Sequence, residues 1–530
     1  MSKESSRLLI QSLQNPEIYD HPVQHIEVIE THISWVLLTG PYAYKIKKPV
    51  NLGFLDFSTL EKRQHYCSEE QRLNARLAQG VYLEVVKITG DSGHPQINGS
   101  GDTIEYAIKM KQFPQDAQLD RVLARDALEP QHIDSIADKI AHFHQHIAHA
   151  DKSSSFGTPK NIEAHCQDNF DEIEAHITDH SDIQCIEALR HWTEKEFAHL
   201  NDGMVSRKTV GFIRECHGDL HLRNMALLDD GVLIFDCIEF NDDLRWIDVI
   251  SEIAFAVMDL QDRGNNRYAW RLLNRYLEIT GDYAGLILLP YYLVYRAMVR
   301  AKVDCIRAHQ EGTSVQEQQA ILKEYRSYIK LAQCYTQPSK PVLLITHGLS
   351  GSGKTHYAQA ILEALPALRI RSDIERKRLF AHEGSVNTHA DIAGGIYSAQ
   401  ASRRTYDKLA ELATTALQAG FNTIVDATFL KQQQRQQFKA LAERLNIPFV
   451  LLDMRATQDT LRQRITDRER AGNDASEANI KVLDHQLASI ETLSKNETVN
   501  RITIDTLCPL NIQNFLQQLK QQLATQSSRQ

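Results

Sequence analysis

The spacing of apolar residues changes along the chain and predicts different kinds of structure in its first and last parts. Near the N-terminus, apolar and polar positions alternate as in strands, with a hairpin turning at Gly40-Pro41 and two more strands near 83–89 and 104–112. A helix is predicted between them, over about 60–77, and from Asp134 onward most segments have the helical period. The pattern predicts an α+β first part in which the strands come before most of the helices.

The last third of the chain has short apolar runs separated by helical segments. A strict order of strand, helix and strand is typical of a parallel, doubly wound α/β sheet. The predicted strands are 342–346, 368–371, 422–426, 449–453 and 501–504.

A break in composition separates these two parts. The segment 336–341 has two prolines and small polar residues, and it lies between a long helical stretch over about 293–331 and the apolar run that begins at Val342. We therefore expect two domains, at residues 1–335 and 336–530.

Charge and cysteine content narrow the class of protein. The formal net charge of −9 gives no general attraction to nucleic acid or to an anionic membrane, although it leaves room for a local basic pocket. No apolar run approaches the roughly 18 residues of a membrane span, and the N-terminal run is too short for a signal peptide. The eight cysteines are scattered without a Cys-x-x-Cys pair, which argues against a zinc site or a disulfide framework and favours a reduced, cytoplasmic setting.

The first constellation with chemical meaning is an H-x-D-x-x-x-x-N pattern over residues 217–224. An Asp-Asp-Gly turn at 229–231 then folds two apolar runs into a hairpin, which would return Asp236 to the side of Asn224. Phosphoryl transfer needs such a group. Asp219 would accept or orient the proton of the substrate hydroxyl, while Asn224 and Asp236 would hold the magnesium that neutralises the nucleotide phosphates.

These residues resemble the catalytic loop and metal-binding aspartate of the aminoglycoside phosphotransferase and choline kinase superfamily, relatives of protein kinases. The resemblance covers roughly residues 30–330 and implies a two-lobed, protein-kinase-like α+β domain. It also implies a nucleotide lysine on an early strand and a glutamate on the following helix. Lys45 matches the A-x-K pattern, with Lys47 as the rival on the same strand face, and Glu70 is the expected partner, with Glu69 as the alternative.

Other polar residues of the first domain lie outside these motifs and have separate expected roles. Asp248 is expected to brace the catalytic loop. Glu239 could contact substrate or metal, or serve only as an ordinary surface residue. Four histidines, at positions 142, 144, 146 and 149, are expected to be solvated side chains of a packed helix, because no set of cysteine or acidic ligands accompanies them.

The second constellation is a G-x-x-x-x-G-K-T loop over residues 348–355, placed between a predicted strand and a predicted helix as that motif requires. Backbone amides of this loop would hold the nucleotide phosphates. Lys354 would reach the terminal phosphates, and the Thr355 hydroxyl would bind magnesium. The other loop residues predicted to bind the cofactor are Gly348, Ser350, Gly351, Ser352 and Gly353.

The chain from this loop onward resembles polynucleotide kinase, zeta-toxin and related small P-loop kinases, over roughly residues 340–510. The resemblance implies a substrate-side carboxylate at Asp373 and an acceptor-phosphate clamp at Arg376. Asp426, at a strand end, could hold metal-bound water or substrate, or only cap a helix. An arginine-rich helix resembles the lid that closes over phosphates; the alternative for each arginine is a solvated basic helix face. Arg464 and Arg468 are the nucleotide-binding candidates, and Arg462 and Arg470 share the helix.

Together, the sequence predicts a kinase-like domain of aminoglycoside phosphotransferase type followed by an α/β P-loop NTPase domain, both using ATP with Mg²⁺. The leading hypothesis is a bifunctional kinase whose first site phosphorylates a hydroxyl of a small molecule. Alternatively, one domain, more readily the second, is a nucleotide-binding regulator or a nucleic-acid 5′-end kinase. The sequence names neither acceptor, because acceptor pockets in such folds vary freely. Because each half has a complete phosphate-binding set, we also expect each half to fold alone.

Overall fold

The structure is a computed structural model that describes residues 3–53, 55–310, 312–381, 399–471 and 478–527. Its contacts group the chain into two compact units. The first unit contains Met1–Asp259 and Tyr295–Ile329, and the second contains Leu260–Val294 and Lys330–Gln530.

The secondary structure is given in chain order. The strands are β1 Glu27–Glu30, β2 Ser34–Leu38, β3 Tyr42–Lys47, β4 Tyr82–Asp91, β5 His94–Ile97, β6 Thr103–Lys111, β7 Ile213–Glu215, β8 Met225–Leu228, β9 Gly231–Ile234, β10 Trp246–Asp248, β11 Leu343–His347, β12 Ala367–Arg371, β13 Asn422–Asp426, β14 Phe449–Arg455 and β15 Arg501–Asp505. The helices are α1 Lys3–Ser12, α2 Leu60–Asn74, α3 Leu119–Ala124, α4 Pro130–His146, α5 Pro159–Glu174, α6 His180–Val210, α7 Val249–Asp262, α8 Asn266–Thr280, α9 Leu289–Ala308, α10 Val315–Tyr335, α11 Lys354–Ala364, α12 Ser372–Ala381, α13 Ala399–Gln418, α14 Gln432–Arg444, α15 Gln458–Ala471, α16 Ile480–Ser489, α17 Lys495–Thr498 and α18 Ile512–Ser527.

In the first unit, an antiparallel sheet with the order β1-β2-β3-β6-β4-β5 positions the candidate lysines. Side chains alternate between the two faces of β3. Tyr44 and Ile46 therefore enter an apolar core with Leu37 and Val86 on one face. Lys45 and Lys47 share the other face, and α2 packs on the sheet through a cluster that includes Cys67.

The predicted hairpins form where the turn residues demand them. β2 pairs with β3 across Gly40, and β8 pairs with β9 so that Leu228 lies opposite Gly231. Gly231 has φ +113°, in the left-handed region that favours glycine. This second hairpin carries the chain from Asn224 back to Asp236.

In the second unit, five parallel strands have the order β12-β13-β11-β14-β15. Every residue of β11 is buried, as expected of a central strand covered on both faces by helices. The core includes Leu344, Ile424 and Leu452 from three strands, together with Phe515 of α18. The predicted fold class, a kinase-like α+β region followed by a parallel α/β region, is confirmed.

Helix α8 packs within this second unit, although it lies far before residue 336 in the chain. The Asn274 amide group donates to the carbonyl of Ala367 at 2.9 Å and accepts from the backbone N–H of Arg369 at 2.6 Å, so it pairs with β12 as a backbone would. The buried Glu278 carboxylate binds the Arg369 guanidinium at 2.6 Å. The domain boundary near residue 336 therefore stays a prediction from the sequence. The compact unit that contains the P-loop includes Leu260–Val294 as well as Lys330–Gln530.

Candidate functional sites

The first site is built around an ion-pair cluster on β3. The Lys45 ammonium lies 2.7 Å from the Glu70 carboxylate of α2 and 2.5 Å from the Asp236 carboxylate. Asp236 follows β9 in a left-handed conformation with φ +64°, and its backbone N–H donates to the Tyr82 hydroxyl. This turn directs the Asp236 side chain to the lysine, and it leaves that side chain about half exposed.

Lys47, the rival lysine, has a different environment. Its ammonium lies 2.6 Å from the other Glu70 oxygen, contacts Glu239, and lies 4.8 Å from the centre of the Phe57 ring. It is only 1% exposed. Of the two lysines, Lys45 is therefore the one that meets Asp236, while Lys47 and Glu239 form a buried pair behind it. Glu69, the alternative to Glu70, instead binds Arg72 on the surface of α2.

The charges in this cluster support one another. Burial opposes ionisation of Glu70, but the two ammonium groups outweigh it and lower the pKa of the carboxyl. Burial would also lower the pKa of Lys45, yet the Asp236 and Glu70 carboxylates raise it well above its ordinary value. Glu239 is the exception, because burial raises its pKa more than Lys47 lowers it.

Asp219 and Asn224 contact each other directly. The Asn224 amide nitrogen donates to the Asp219 carboxylate at 2.9 Å and to the Asp219 carbonyl at 3.0 Å. His221 lies 3.2 Å from the same carboxylate oxygen. Burial opposes ionisation of Asp219, but the interactions with His221 and the charge of Arg300 lower the pKa of its carboxyl. Asp219 is therefore a carboxylate at neutral pH, with about a third of its side chain exposed.

His217 connects this loop to the end of β9, which leads to Asp236. Its Nε2 lies 2.8 Å from the carbonyl oxygen of Phe235, and its Nδ1 accepts from the backbone N–H of Asp219 at 3.3 Å. Burial lowers the pKa of His217 to about 4, so the ring is neutral, with one nitrogen donating and the other accepting. The same side chain thus fixes the backbones that lead to Asp219 and Asp236.

The catalytic loop is braced by residues that the sequence did not indicate. The buried Glu252 carboxylate accepts from the backbone N–H groups of His217 and Gly218 at 2.6 and 3.0 Å. Asp259 accepts from Leu222 at 2.8 Å. Both acids lie on one face of α7, two helical turns apart. This spacing matches no sequence motif, so no signal in the sequence indicated their role.

Asp248, which was expected to brace the catalytic loop, makes its side-chain contacts with two helices. Its carboxylate binds the Arg207 guanidinium through two hydrogen bonds of 2.6 and 2.7 Å and accepts from the backbone N–H of Ile250. It therefore fastens the start of α7 to α6. Asp248 also lies on β10, which pairs with β7, the strand that leads into the loop.

The histidines of α4 divide into two kinds. His142 and His146 are exposed, as expected, whereas His144 is buried, and burial lowers its pKa to about 3. Ligand atoms of His144, Cys216 and Glu252 lie within 4.8 Å of one another. Both Glu252 oxygens already accept backbone hydrogen bonds, so this group is better described as packing behind the catalytic loop than as a metal site.

The second site is the P-loop between β11 and α11. Gly348 has φ +150°, and a side chain there would lie 2.7 Å from the Met454 carbonyl, while one at Gly351, with φ +81°, would lie 2.8 Å from the Leu461 carbonyl. The loop can therefore curl only with glycine at these positions. The Lys354 ammonium lies inside the curl, donating to the carbonyls of Gly348 and Leu349 at 3.0 and 2.8 Å.

Two acidic residues act on the P-loop lysine. Burial lowers the pKa of Lys354 to about 8, and the charges of Asp426 and Asp373 partly oppose this shift. Asp426 ends β13, and its Oδ2 is buried without a hydrogen-bond partner among the described residues. Asp373 is the second residue of α12 and lies 3.8 Å from the Arg376 guanidinium. Both predicted carboxylates thus lie within electrostatic reach of Lys354.

The arginines of α15 differ in what they contact. Arg464 donates to the Gly351 carbonyl at 3.3 Å and to the Thr506 hydroxyl at 3.1 Å, so it holds the P-loop backbone. Arg468 contributes charge near Lys354 and donates to the Ala478 carbonyl. Arg462 pairs with Asp484, and Arg470 lies 3.9 Å from Asp467 on the surface. A residue that no motif indicated, Gln486 of α16, accepts from the backbone N–H of Ser350 at 2.8 Å.

Comparisons with known proteins match two separate regions of the chain, one for each candidate site. Residues 95–289 match the phosphotransferase enzyme family, and residues 343–493 match a family described as an AAA domain. The chain therefore contains one region similar to each of these two domain types, in this order. The resemblance to a phosphotransferase joined to a P-loop domain is therefore confirmed, and the protein is an ATP-dependent phosphotransferase.

Proteins from two mycobacteria match most of the chain. Uncharacterized proteins of Mycobacterium tuberculosis and Mycobacterium bovis are 29% identical over 459 residues, covering 86% of this chain and 89% of theirs. Among solved structures, the amicoumacin kinase hAmiN is 13% identical with a TM-score of 0.38, covering 62% of this chain and 94% of its own. A gluconokinase from Sinorhizobium meliloti is 18% identical with a TM-score of 0.28, covering 36% of this chain and 98% of its own.

Hydropathy adds one finding. Within the part of the chain that the structure describes, none of the helices combines the length and the apolar character needed to span a bilayer.

Proposed function

We propose that the fusion protein has two separate phosphotransferase sites, of which the first transfers the γ-phosphoryl group of ATP to a hydroxyl of a small molecule. The observation that carries this proposal is the arrangement of Asp219 beside Asn224, and of Asp236 beside Lys45. One carboxylate is available to the acceptor, and the other is available to a cation and the nucleotide.

The donor atoms at this site fit Mg²⁺. Because the Asn224 amide nitrogen donates to Asp219, its carbonyl oxygen is left for a cation. The half-exposed Asp236 carboxylate offers a second hard oxygen ligand, of the kind that Mg²⁺ prefers. Magnesium held by these two residues would neutralise charge on the phosphates.

Lys45 would leave Asp236 for the nucleotide phosphates while keeping Glu70 as its partner. Asp219, ionised at neutral pH, would orient the acceptor hydroxyl and take its proton late in the transfer, since the loose transition state of phosphoryl transfer needs little prior deprotonation. His217 keeps both catalytic segments in register, because it is bonded to each.

For the second site, we propose a P-loop kinase that uses Lys354 and Thr355 on the nucleotide and Asp373 on the acceptor side. The charges of Asp373 and Asp426 at Lys354 support this arrangement. A cytoplasmic setting, where ATP is available, is part of the same proposal.

The first site is tested in a Lys354→Ala background, which disables the second. The protein is incubated with labelled ATP and a metabolite extract, and the phosphorylated products are identified. Asp219→Ala should lower the transfer by about 10²–10⁴-fold. The matched control is Asp229→Ala in the exposed hairpin turn, which should leave transfer unchanged. Equal transfer by the Asp219→Ala and control proteins would contradict the proposed role.

The second site is tested in an Asp219→Ala background with the same extract and with a 5′-hydroxyl oligonucleotide. Asp373→Ala should abolish labelling of a small molecule, whereas Asp459→Ala, an exposed control at the start of α15, should not. Labelling of the oligonucleotide would indicate an end kinase, and nucleotide binding without any transfer would indicate a regulator.

A further inference from the structure

A pocket of about 730 Å³ lies in the first unit, outside the residues assigned to phosphoryl transfer. Its walls come from α4 and the residues that follow it, from the segment just after α2 and from β7. The apolar part includes Leu77, Phe143 and Ile147. A volume of this size is within the range of small-ligand sites in proteins.

Lys139 is the unusual polar group of this pocket. Its side chain is half-buried, and its ammonium donates to the carbonyl of Val232 at 2.7 Å. Among the described residues, Lys139 forms no ion pair, and burial alone lowers the pKa of its ammonium. Two of its three N–H donors are therefore left for another acceptor, and its charge has no counter-ion.

Two histidines continue the same helical face toward the C-terminus of α4. His142 and His146 lie three and seven residues after Lys139, a spacing that places all three side chains along one stripe. The Nδ1 atoms of His142 and His146 lie 2.7 and 2.6 Å from the backbone carbonyls of Asp138 and His142. A carbonyl can only accept, so each Nδ1 carries a proton, and each Nε2 is left for a ligand in the pocket.

The remaining charged lining residues are already paired. Arg76 donates to the backbone carbonyls of Glu215 and Cys216 and to the Glu215 carboxylate. Glu215 also binds Arg72, and Asp138 has partners of its own. The donor left for a ligand is thus the Lys139 ammonium. Each Nε2 accepts when its ring is neutral and donates only when the ring is an imidazolium.

We propose that this pocket binds a small organic anion, a phosphate monoester with an apolar body. The anionic group would pair with Lys139 and accept from His142 Nε2 in the imidazolium form of that ring. The apolar body would lie on Leu77 and Phe143. The proposal does not depend on the catalytic roles, since Lys45, Glu70, Asp219, Asn224 and Asp236 do not line the pocket.

Phenyl phosphate is a suitable probe, because it joins a phosphate monoester to an aromatic ring. The full chain is first saturated with magnesium and a non-hydrolysable ATP analogue, which occupies the nucleotide sites. Calorimetric titration should then give one phenyl phosphate per chain with a submillimolar Kd. Lys139→Met should weaken this binding by about 10–100-fold, the value of a hydrogen bond to a charged group.

Three controls make the result specific. Lys139→Arg should retain binding within a few-fold, and phenol, which lacks the charge, should not bind. His142→Gln should weaken binding severalfold, whereas His176→Gln should not, because His176 bonds its own helix carbonyl in the same way but lies outside the pocket. Unchanged affinity in folded Lys139→Met protein, or the absence of saturable binding at millimolar phenyl phosphate, would overturn the proposal.

Discussion

Replacing Glu278 with alanine is the sharpest test of the way the second unit is built. Its carboxylate accepts two N–H bonds from Arg369, of 2.6 and 3.1 Å, and also lies 3.6 Å from Arg371. Glu278 and Arg369 are each about 5% exposed, so the substitution would leave a buried guanidinium without its carboxylate. Arg369 would keep only its 3.1 Å bond to the Thr355 carbonyl in the P-loop helix.

Breaking such a buried pair typically costs about 3–5 kcal/mol. Since the remaining bond to Thr355 offsets part of the loss, we expect about 3 kcal/mol. For a unit of this size, that corresponds to a Tm lower by roughly 6–12 °C. Because Arg369 contacts Thr355, nucleotide binding at the P-loop should weaken as well.

The assay is urea unfolding with pulsed hydrogen exchange, which gives a separate midpoint for peptides of β12. Glu278→Leu combined with Arg369→Met removes both charges and should recover much of the stability, so the two changes should be strongly non-additive. Glu411→Ala, which breaks an exposed pair with Lys408, should change stability by less than about 0.5 kcal/mol. If Glu278→Ala moved the β12 midpoint no more than this control, the reasoning would be refuted.

Three further predictions concern the two sites. Asp236→Ala should weaken binding of Mg-ATP at the first site far more than binding of metal-free ATP, and equal effects by calorimetry would indicate a structural role. Lys47→Met should destabilise the first unit by about 3–5 kcal/mol, because it removes the ion-pair partner of the buried Glu239 and leaves Glu70 with Lys45 alone. A urea midpoint matching that of the exposed control Lys62→Met would contradict this. Burial lowers the pKa of Lys354 to about 8 in the nucleotide-free protein, and bound phosphates favour its charged form. Nucleotide affinity at the P-loop should therefore be full below pH 8 and should fall by up to about tenfold per pH unit above it. A pH-independent Kd between pH 7 and 9.5 in the Asp236→Ala variant would exclude this linkage.

Much of the architecture could be predicted from local pattern. The five strands of the parallel sheet, the hairpin at Gly231 and the glycine positions of the P-loop each depend on residues that lie close together in the chain. The choice between Lys45 and Lys47 could not be made this way. Both lie on one face of β3. They are distinguished by carboxylates that come nearly two hundred residues later, Asp236 at Lys45 and Glu239 at Lys47.

Other features depend on tertiary contacts that leave no sequence motif. Glu252 and Asp259 brace the catalytic loop from a helix whose acids look like ordinary helix residues. The packing of α8 on β12 depends on Asn274 imitating a backbone partner, and an asparagine inside a helix gives no signal of that kind. The expectation that a fragment from residue 336 folds alone overlooked this contact, and we now expect such a fragment to be unstable.

The division of the chain into interleaved segments has a consequence for biosynthesis. Leu260–Val294 leaves the ribosome before Lys330–Gln530, the rest of its unit, has been made. At about 5–20 residues per second, α8 waits on the order of 10 s before β12 and its neighbouring strands emerge. During that interval the apolar face around Trp270 has no core to join. We therefore expect nascent chains stalled shortly after residue 294 to bind chaperones, and full-length chains to be released from them.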